Sequence, residues 1–118
     1  MDPIRDQTTS AQLDKLFRAM NLIRVLDPET PGQVITAFLY VASHNRCHKQ
    51  ALEQALQLST ASASRVTDYL SKQHRLGKPG LDLVDKVVDP DDRRRLELHL
   101  TRKGELIAQQ LKEVIYDS

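Results

Sequence analysis

Three stretches of this sequence hold residue types whose spacing can do chemistry. The first, Leu58 to Leu70, reads Leu-Ser-Thr-Ala-Ser-Ala-Ser-Arg-Val-Thr-Asp-Tyr-Leu. Ser59, Thr60, Ala61, Ser62 and Ser64 are small, so a helix that starts here can approach base edges in a major groove closely. Free N–H groups and the positive end of the helix dipole favour a phosphate at the same terminus. Arg65 adds a fork that fits guanine O6 and N7, or a phosphate. Taken alone, these serines and threonines are most simply helix caps. The second stretch, Asp91-Asp92-Arg93-Arg94-Arg95, gathers three arginines, with Arg102 and Lys103 close behind. From 93 to 103, five basic residues face Glu97 alone, a local balance of +4. Arginines on a protruding turn can enter a narrow minor groove and contact phosphates. The bland alternative is a solvated turn in which Asp89, Asp91 and Asp92 pair with them, weakly, as surface pairs do. Both are expected in part, with Asp92 orienting one arginine.

The third stretch places His44, Cys47 and His48 at i, i+3 and i+4, which on a helix would set all three on one side, as a zinc or other soft-metal site needs. Against this, Asn45 and Arg46 suggest a loop, three ligands leave the site incomplete, and His99 is distant in sequence. The reading without a metal is therefore favoured. Arg46, His48 and Lys49 would supply the positive charge that a redox-sensing Cys47 thiolate needs, a minority reading. No nucleophile with a base, glycine-rich phosphate loop or carboxylate pair is visible, so neither an enzyme nor a cofactor is expected.

Apolar spacing defines the elements that must hold these residues. Leu13, Leu16, Phe17, Met20, Ile23 and Leu26 recur every three or four residues, one face of a helix from about Ala11 to Leu26. Thr30 as cap and Pro31 as first residue start a second helix to about Ser43, apolar nearly all round and so the core spine. After the polar break His44-Asn45-Arg46, a short helix from about Lys49 to Gln57 is followed, across a tight turn, by another from Thr60 to about Gln73. That pair is a helix-turn-helix unit. The run from His74 to Gly80 is a loop. Leu83 to Val88 and Leu96 to Leu100 are the strands of a hairpin whose turn carries the arginines, and Thr101 caps a last helix to about Tyr116. The order is that of a mainly α winged helix-turn-helix with a small β-hairpin wing.

With 118 residues, 17 Lys and Arg and 16 Asp and Glu, the chain has room for one domain, 1–118, and a net charge of +1. Near-neutrality excludes a uniformly basic coat that binds nucleic acid by composition alone. One cysteine forms no internal disulfide and fits a reducing compartment, and no apolar run is long enough to span a bilayer, so a cytoplasmic protein is expected. Five aromatic residues among the tyrosines and phenylalanines offer little for stacking single-stranded bases.

The run from Leu58 to Leu70, followed by Leu83-Val84-Asp85-Lys86 and then Asp89 through Gly104, resembles the MarR (multiple antibiotic resistance regulator) family of winged-helix transcription factors. The second segment is the stronger match. Asp92 and Arg94 fall on that family's Asp-x-Arg wing signature, and Leu100-Thr101 with Lys103-Gly104 on the passage after it. The resemblance covers roughly Val34 to Leu111. It implies a homodimer on a pseudo-palindromic duplex operator, most simply a repressor, with Ser59 to Thr67 in the major groove and Arg94 at the wing tip reaching the minor groove. The connection from Leu70 to Leu83 is longer than usual there and carries His74, Arg75 and Lys78, either extending the recognition helix or adding phosphate contacts. About four helical turns precede Pro28, so a dimer through the terminal helices, 11–26 and 102–116, would be smaller than usual or differently arranged. Nothing identifies a small-molecule effector. A winged-helix protein-interaction module, or a replication or partition protein on repeated sites, are the alternatives.

Overall fold

The computed structural model describes residues 7–72 and 77–116. Its order is α1 (Ala11–Leu26), α2 (Gly32–Ser43), β1 (Cys47–His48), α3 (Lys49–Leu56), α4 (Thr60–Leu70), β2 (Val84–Val88), β3 (Leu96–Leu100) and α5 (Arg102–Tyr116). Among the described residues, five helices accompany one small antiparallel sheet, with β3 central in the order β1-β3-β2. The winged helix-turn-helix is the fold observed, with a third strand that the hairpin reading did not contain. Cys47 and His48 pair with Leu98 and Glu97, a two-residue strand too short to leave an alternation in the sequence.

The spine is α2, where Val34, Ile35, Ala37, Phe38 and Val41 are all buried. Ile23 of α1, Leu52 of α3, Val66 and Leu70 of α4, Leu98 of β3 and Leu111 of α5 close around it. The start of α2 corrects the sequence reading: Pro31 is itself the N-cap, and the Thr30 hydroxyl instead donates to the Asp27 carbonyl at 2.7 Å, closing the turn after α1. Proline at this place loses no helical hydrogen bond, so it fits on either side of the boundary.

The apolar face of α1 also divides in a way that periodicity does not reveal. Ala19 and Ile23 are buried, whereas Leu13, Leu16 and Phe17 are exposed. Only the C-terminal half of α1 meets the core. The N-terminal half lies beside the end of α5, where Lys15 Nζ donates to the Ile115 carbonyl at 3.4 Å.

Helix α4 ends at Leu70, three residues before the expected Gln73, because the returning chain takes its last carbonyls. Leu81 N–H donates to Tyr69 O, Leu83 N–H to Leu70 O, and Asp82 N–H to Ser71 O. Leu83 thus serves as an anchor, and the strand begins at Val84. Among the described residues, the long connection does not extend the recognition helix. His74 and Arg75 lie outside the described residues, and Lys78 is exposed.

Thr101 caps α5 as its sequence predicts, its Oγ1 accepting from Gly104 N–H at 2.9 Å. At Gly104 the first turn of α5 presses against the segment leading into β2: a Cβ there would overlap the Leu83 carbonyl, which is backbone and cannot swing aside. That carbonyl already accepts from Thr101 N–H at 3.0 Å. Gly104→Ala should therefore destabilise the fold by about 2 kcal/mol, since overpacking typically costs 1–3 kcal/mol. In thermal melts followed by circular dichroism this is a fall of roughly 10 °C. A melting point matching the parent's would refute the close approach.

Candidate nucleic-acid interface

The turn between α3 and α4 is set by Gln57, which takes the left-handed conformation (φ 54°) at the C-cap of α3. Leu58 N–H then reaches back to Glu53 O at 2.9 Å. A second tie fixes the pair and was not evident in the sequence. Lys49, nearly buried, sends its ammonium to the Thr60 carbonyl at 3.3 Å and to Glu53 at 3.8 Å, so one cation holds both helices. Its signal was a lysine at the first position of a helix, where a charge is ordinarily solvated.

Ser59 is the N-cap of α4, its Oγ accepting from Ser62 N–H at 3.1 Å. Capping and surface display coexist here: Ser59, Thr60, Ala61 and Arg65 are exposed, and Ser62 and Ser64 are half-buried. Arg65 Nη2 donates to Ser62 Oγ at 3.1 Å, which aims the guanidinium along the N-terminal turns of the helix. Thr67 corrects the expected groove-facing range. It is fully buried, and its hydroxyl donates to Ala63 O at 2.8 Å, so the outward stretch ends before it.

In the wing, Asp92 organises the turn. It accepts from Arg94 N–H at 3.0 Å, from Arg94 Nε at 3.1 Å and from Arg94 Nη2 at 3.3 Å, and lies 3.6 Å from Arg95 Nε. These contacts, the Arg94 guanidinium first and its backbone N–H second, hold the Asp92 carboxyl below the usual carboxylate range. Asp89, by contrast, is nearly buried and does not pair with the arginines. It takes Asp91 N–H at 2.8 Å and His48 Nε2 at 2.9 Å, and both lower its pKa, the backbone donor more. The reason is position: Asp89 directly follows β2 and faces His48 of β1, whereas Asp92 lies further into the turn.

The start of α4 and the turn after β2 converge. A groove of about 250 Å³ runs between Lys49, Glu53 and Thr60 on the helix side and Arg94, Arg95 and Leu96 on the wing side. Lys86 of β2 forms an ion pair with Asp68 on α4, tying the root of the wing to that helix. Tyr69 Oη donates to Asp27 Oδ2 at 2.5 Å, which lowers the Asp27 pKa and links the same helix to the end of α1. Arg65, Arg93, Arg94 and Arg95 are all exposed.

His44, Cys47 and His48 do not form the helical face that would make a metal site. They occupy a turn and a strand. The His44 ring stacks on Tyr40 at 4.3 Å, and its Nδ1 lies 3.0 Å from the Tyr40 carbonyl. Cys47 is half-buried, and burial pushes its thiol pKa up, opposite to what a reactive thiolate needs. The positive neighbours in sequence do not offset that burial. No described helix is long and apolar enough to cross a membrane.

Comparison with known proteins adds a fold. No protein-family model and no curated protein matches the chain in sequence. Solved structures do match in shape. The Staphylococcus aureus MepR–DNA complex superposes with a TM-score of 0.67 at 16% identity, over 86% of this chain and 77% of that one. The PcaV transcriptional regulator from Streptomyces coelicolor gives 0.58 at 22% identity, over 87% and 71%. MarR itself gives 0.59 at 18% identity, over 86% and 74%. The chain has the winged-helix fold of the MarR-type regulators.

Proposed function

We propose that this chain is a single-domain regulator of transcription that binds double-stranded DNA selectively as a homodimer and represses by occluding a promoter, with no catalytic activity of its own. The observation that carries this reading is the convergence at one groove of the small-residue start of α4 and the Asp92-held arginine turn. In it, Ser59, Thr60, Ala61, Ser62, Ser64 and Arg65 meet base edges and nearby phosphates in the major groove. Arg93, Arg94 and Arg95 serve the minor groove and its phosphates, and Lys78, with Arg75, adds backbone contacts. The net charge of +1 suits this division, since attraction is confined to the reading surface and the rest of the chain does not hold DNA indiscriminately. The MepR structure, which contains DNA, supports the reading by shared fold.

Selection of bound duplexes from a random pool tests it. The expected result is an inverted repeat with half-sites one or more helical turns apart, about 10 base pairs centre to centre or a multiple. Failure of the folded protein to bind any duplex at low salt would point to a protein-interaction module. Recovery of several tandem copies of one site, bound together, would favour a replication or partition role. Within the selected site, Arg65→Ala should flatten the preference at one base pair of each half-site by about tenfold, the low end of what a bidentate guanine contact supplies. Uniform weakening at all positions would instead make Arg65 a phosphate contact.

A further inference from the structure

We infer that the root of the wing is a binding site for a divalent transition metal of the zinc class, with His48 Nε2 and the carboxylates of Asp89 and Glu97 as its ligands. The donor atoms of these three residues all lie within 4.8 Å of one another. They come from three separate segments: His48 closes β1, Asp89 follows β2, and Glu97 sits in the central strand directly opposite both His48 and Val87. His48 Nε2 and Asp89 Oδ2 are already 2.9 Å apart. Two ligands of one tetrahedral zinc stand about 3.3 Å apart, given metal–ligand bonds of about 2.0–2.1 Å. Side-chain rotation on a fixed sheet is enough to close the site around an ion.

The surroundings fit the same chemistry. Strand alternation puts Glu97 and His99 on one face of β3, and His99 Nε2 stands 3.2 Å from Glu97 Oε1. His99 is thus placed to orient the Glu97 carboxylate, as a histidine or carboxylate behind a metal ligand commonly does. Asp89 is held from its other oxygen by Asp91 N–H at 2.8 Å, which fixes the direction of the oxygen facing His48. Of the arginines on this turn, Arg95 is turned to Asp92 at 3.6 Å, whereas Arg93 lines a surface cavity with Val88, Asp89 and Pro90. One imidazole nitrogen with two carboxylates suits zinc, nickel or manganese, whereas magnesium and calcium prefer oxygen alone. Three protein ligands leave a coordination position for water. As bare pairs, the part-exposed His48 with the nearly buried Asp89, and His99 with Glu97, would add little stability. A metal shared among them would join β1, immediately before α3, to both strands of the wing, and so hold the wing against the helix pair.

The test uses the untagged full chain, stripped with EDTA and dialysed, titrated with Zn²⁺ in competition with a fluorescent zinc indicator. One Zn²⁺ per chain is expected, with a rise in thermal midpoint that Mg²⁺ does not reproduce. Glu97→Gln should weaken binding at least about tenfold, and His99→Ala about tenfold through the loss of its hold on Glu97, both with unchanged circular dichroism. Asp89 is left intact because it also shapes the turn. Absence of stoichiometric binding overturns the proposal, as does binding that survives Glu97→Gln combined with His48→Gln. Binding lost in Cys47→Ser or His44→Ala but retained in Glu97→Gln overturns it in favour of the thiol-containing set. No DNA is present in these measurements, so their outcome is independent of the DNA-binding reading.

Discussion

Phe17→Glu is expected to convert a dimer into a monomer in sedimentation, while its far-UV circular dichroism at room temperature stays that of the parent. The argument begins with exposure. Along α1, Leu13, Leu16 and Phe17 are 67%, 55% and 65% exposed, and at the end of α5, Ile115 and Tyr116 are 61% and 91% exposed. The contact between Lys15 and Ile115 sets the first half of α1 beside the end of α5. Soluble monomers seldom leave a large contiguous apolar patch uncovered. A second copy related by a two-fold axis would cover it, and in such an interface each residue counts twice. Burying a phenylalanine is worth about 2 kcal/mol. Its loss on both sides therefore weakens association by about 4 kcal/mol, on the order of a thousandfold. Because Phe17 makes little contact with the core, the monomer should tolerate glutamate. If parent and variant both sediment as monomers at micromolar concentration, the homodimer is refuted, and the apolar face needs another partner.

The same face shows where a sequence stops being informative. The spacing of Leu13, Leu16, Phe17, Met20, Ile23 and Leu26 is legible as one side of a helix, but spacing cannot say whether that side meets its own core or another chain. Ile23 meets the core and Phe17 does not. Signals are legible where the physics is local: capping among the serines and threonines that open α4, where Ser59 is the cap, the cap at Thr101, and an arginine oriented by Asp92, which is Arg94. What escaped was set at long range. The end of α4 at Leu70 depends on backbone donors more than ten residues downstream, and the two-residue strand β1 exists only because β3 lies beside it. His48 was grouped with its sequence neighbours His44 and Cys47, yet its partners stand 41 and 49 positions away at Asp89 and Glu97. Thr67 looked like part of a hydroxyl-rich surface, and its burial follows from the packing of α4 on α2.

Arg94→Ala should lower affinity for the selected duplex by about a hundredfold and flatten its salt dependence. The Arg94 side chain is 90% exposed, yet Asp92 grips its guanidinium at Nε and Nη2, so the side chain is ordered before any DNA arrives. A preordered arginine loses less rotamer entropy on meeting a phosphate than a free one. A charge-assisted contact contributes about 1.5–3 kcal/mol, and a dimer carries two wings. At the lower bound, removing both costs about 3 kcal/mol, which is the hundredfold. The salt titration carries independent information. Each phosphate neutralised on B-DNA contributes about 0.9 to the slope of log affinity against log salt. One lost contact per chain should thus reduce the slope by about 0.9 for a monomer on its site and about 1.8 for a dimer. Asp92→Asn gives the complementary case: it keeps an acceptor for Arg94 N–H but removes the ion pair, so affinity should fall moderately while the slope is kept, because Arg94 still reaches its phosphate. An Arg94→Ala protein with unaltered affinity and slope would remove the wing from the interface. A slope reduced by only about 0.9, with affinity at low salt down by about tenfold, would leave the wing in place and remove the second chain.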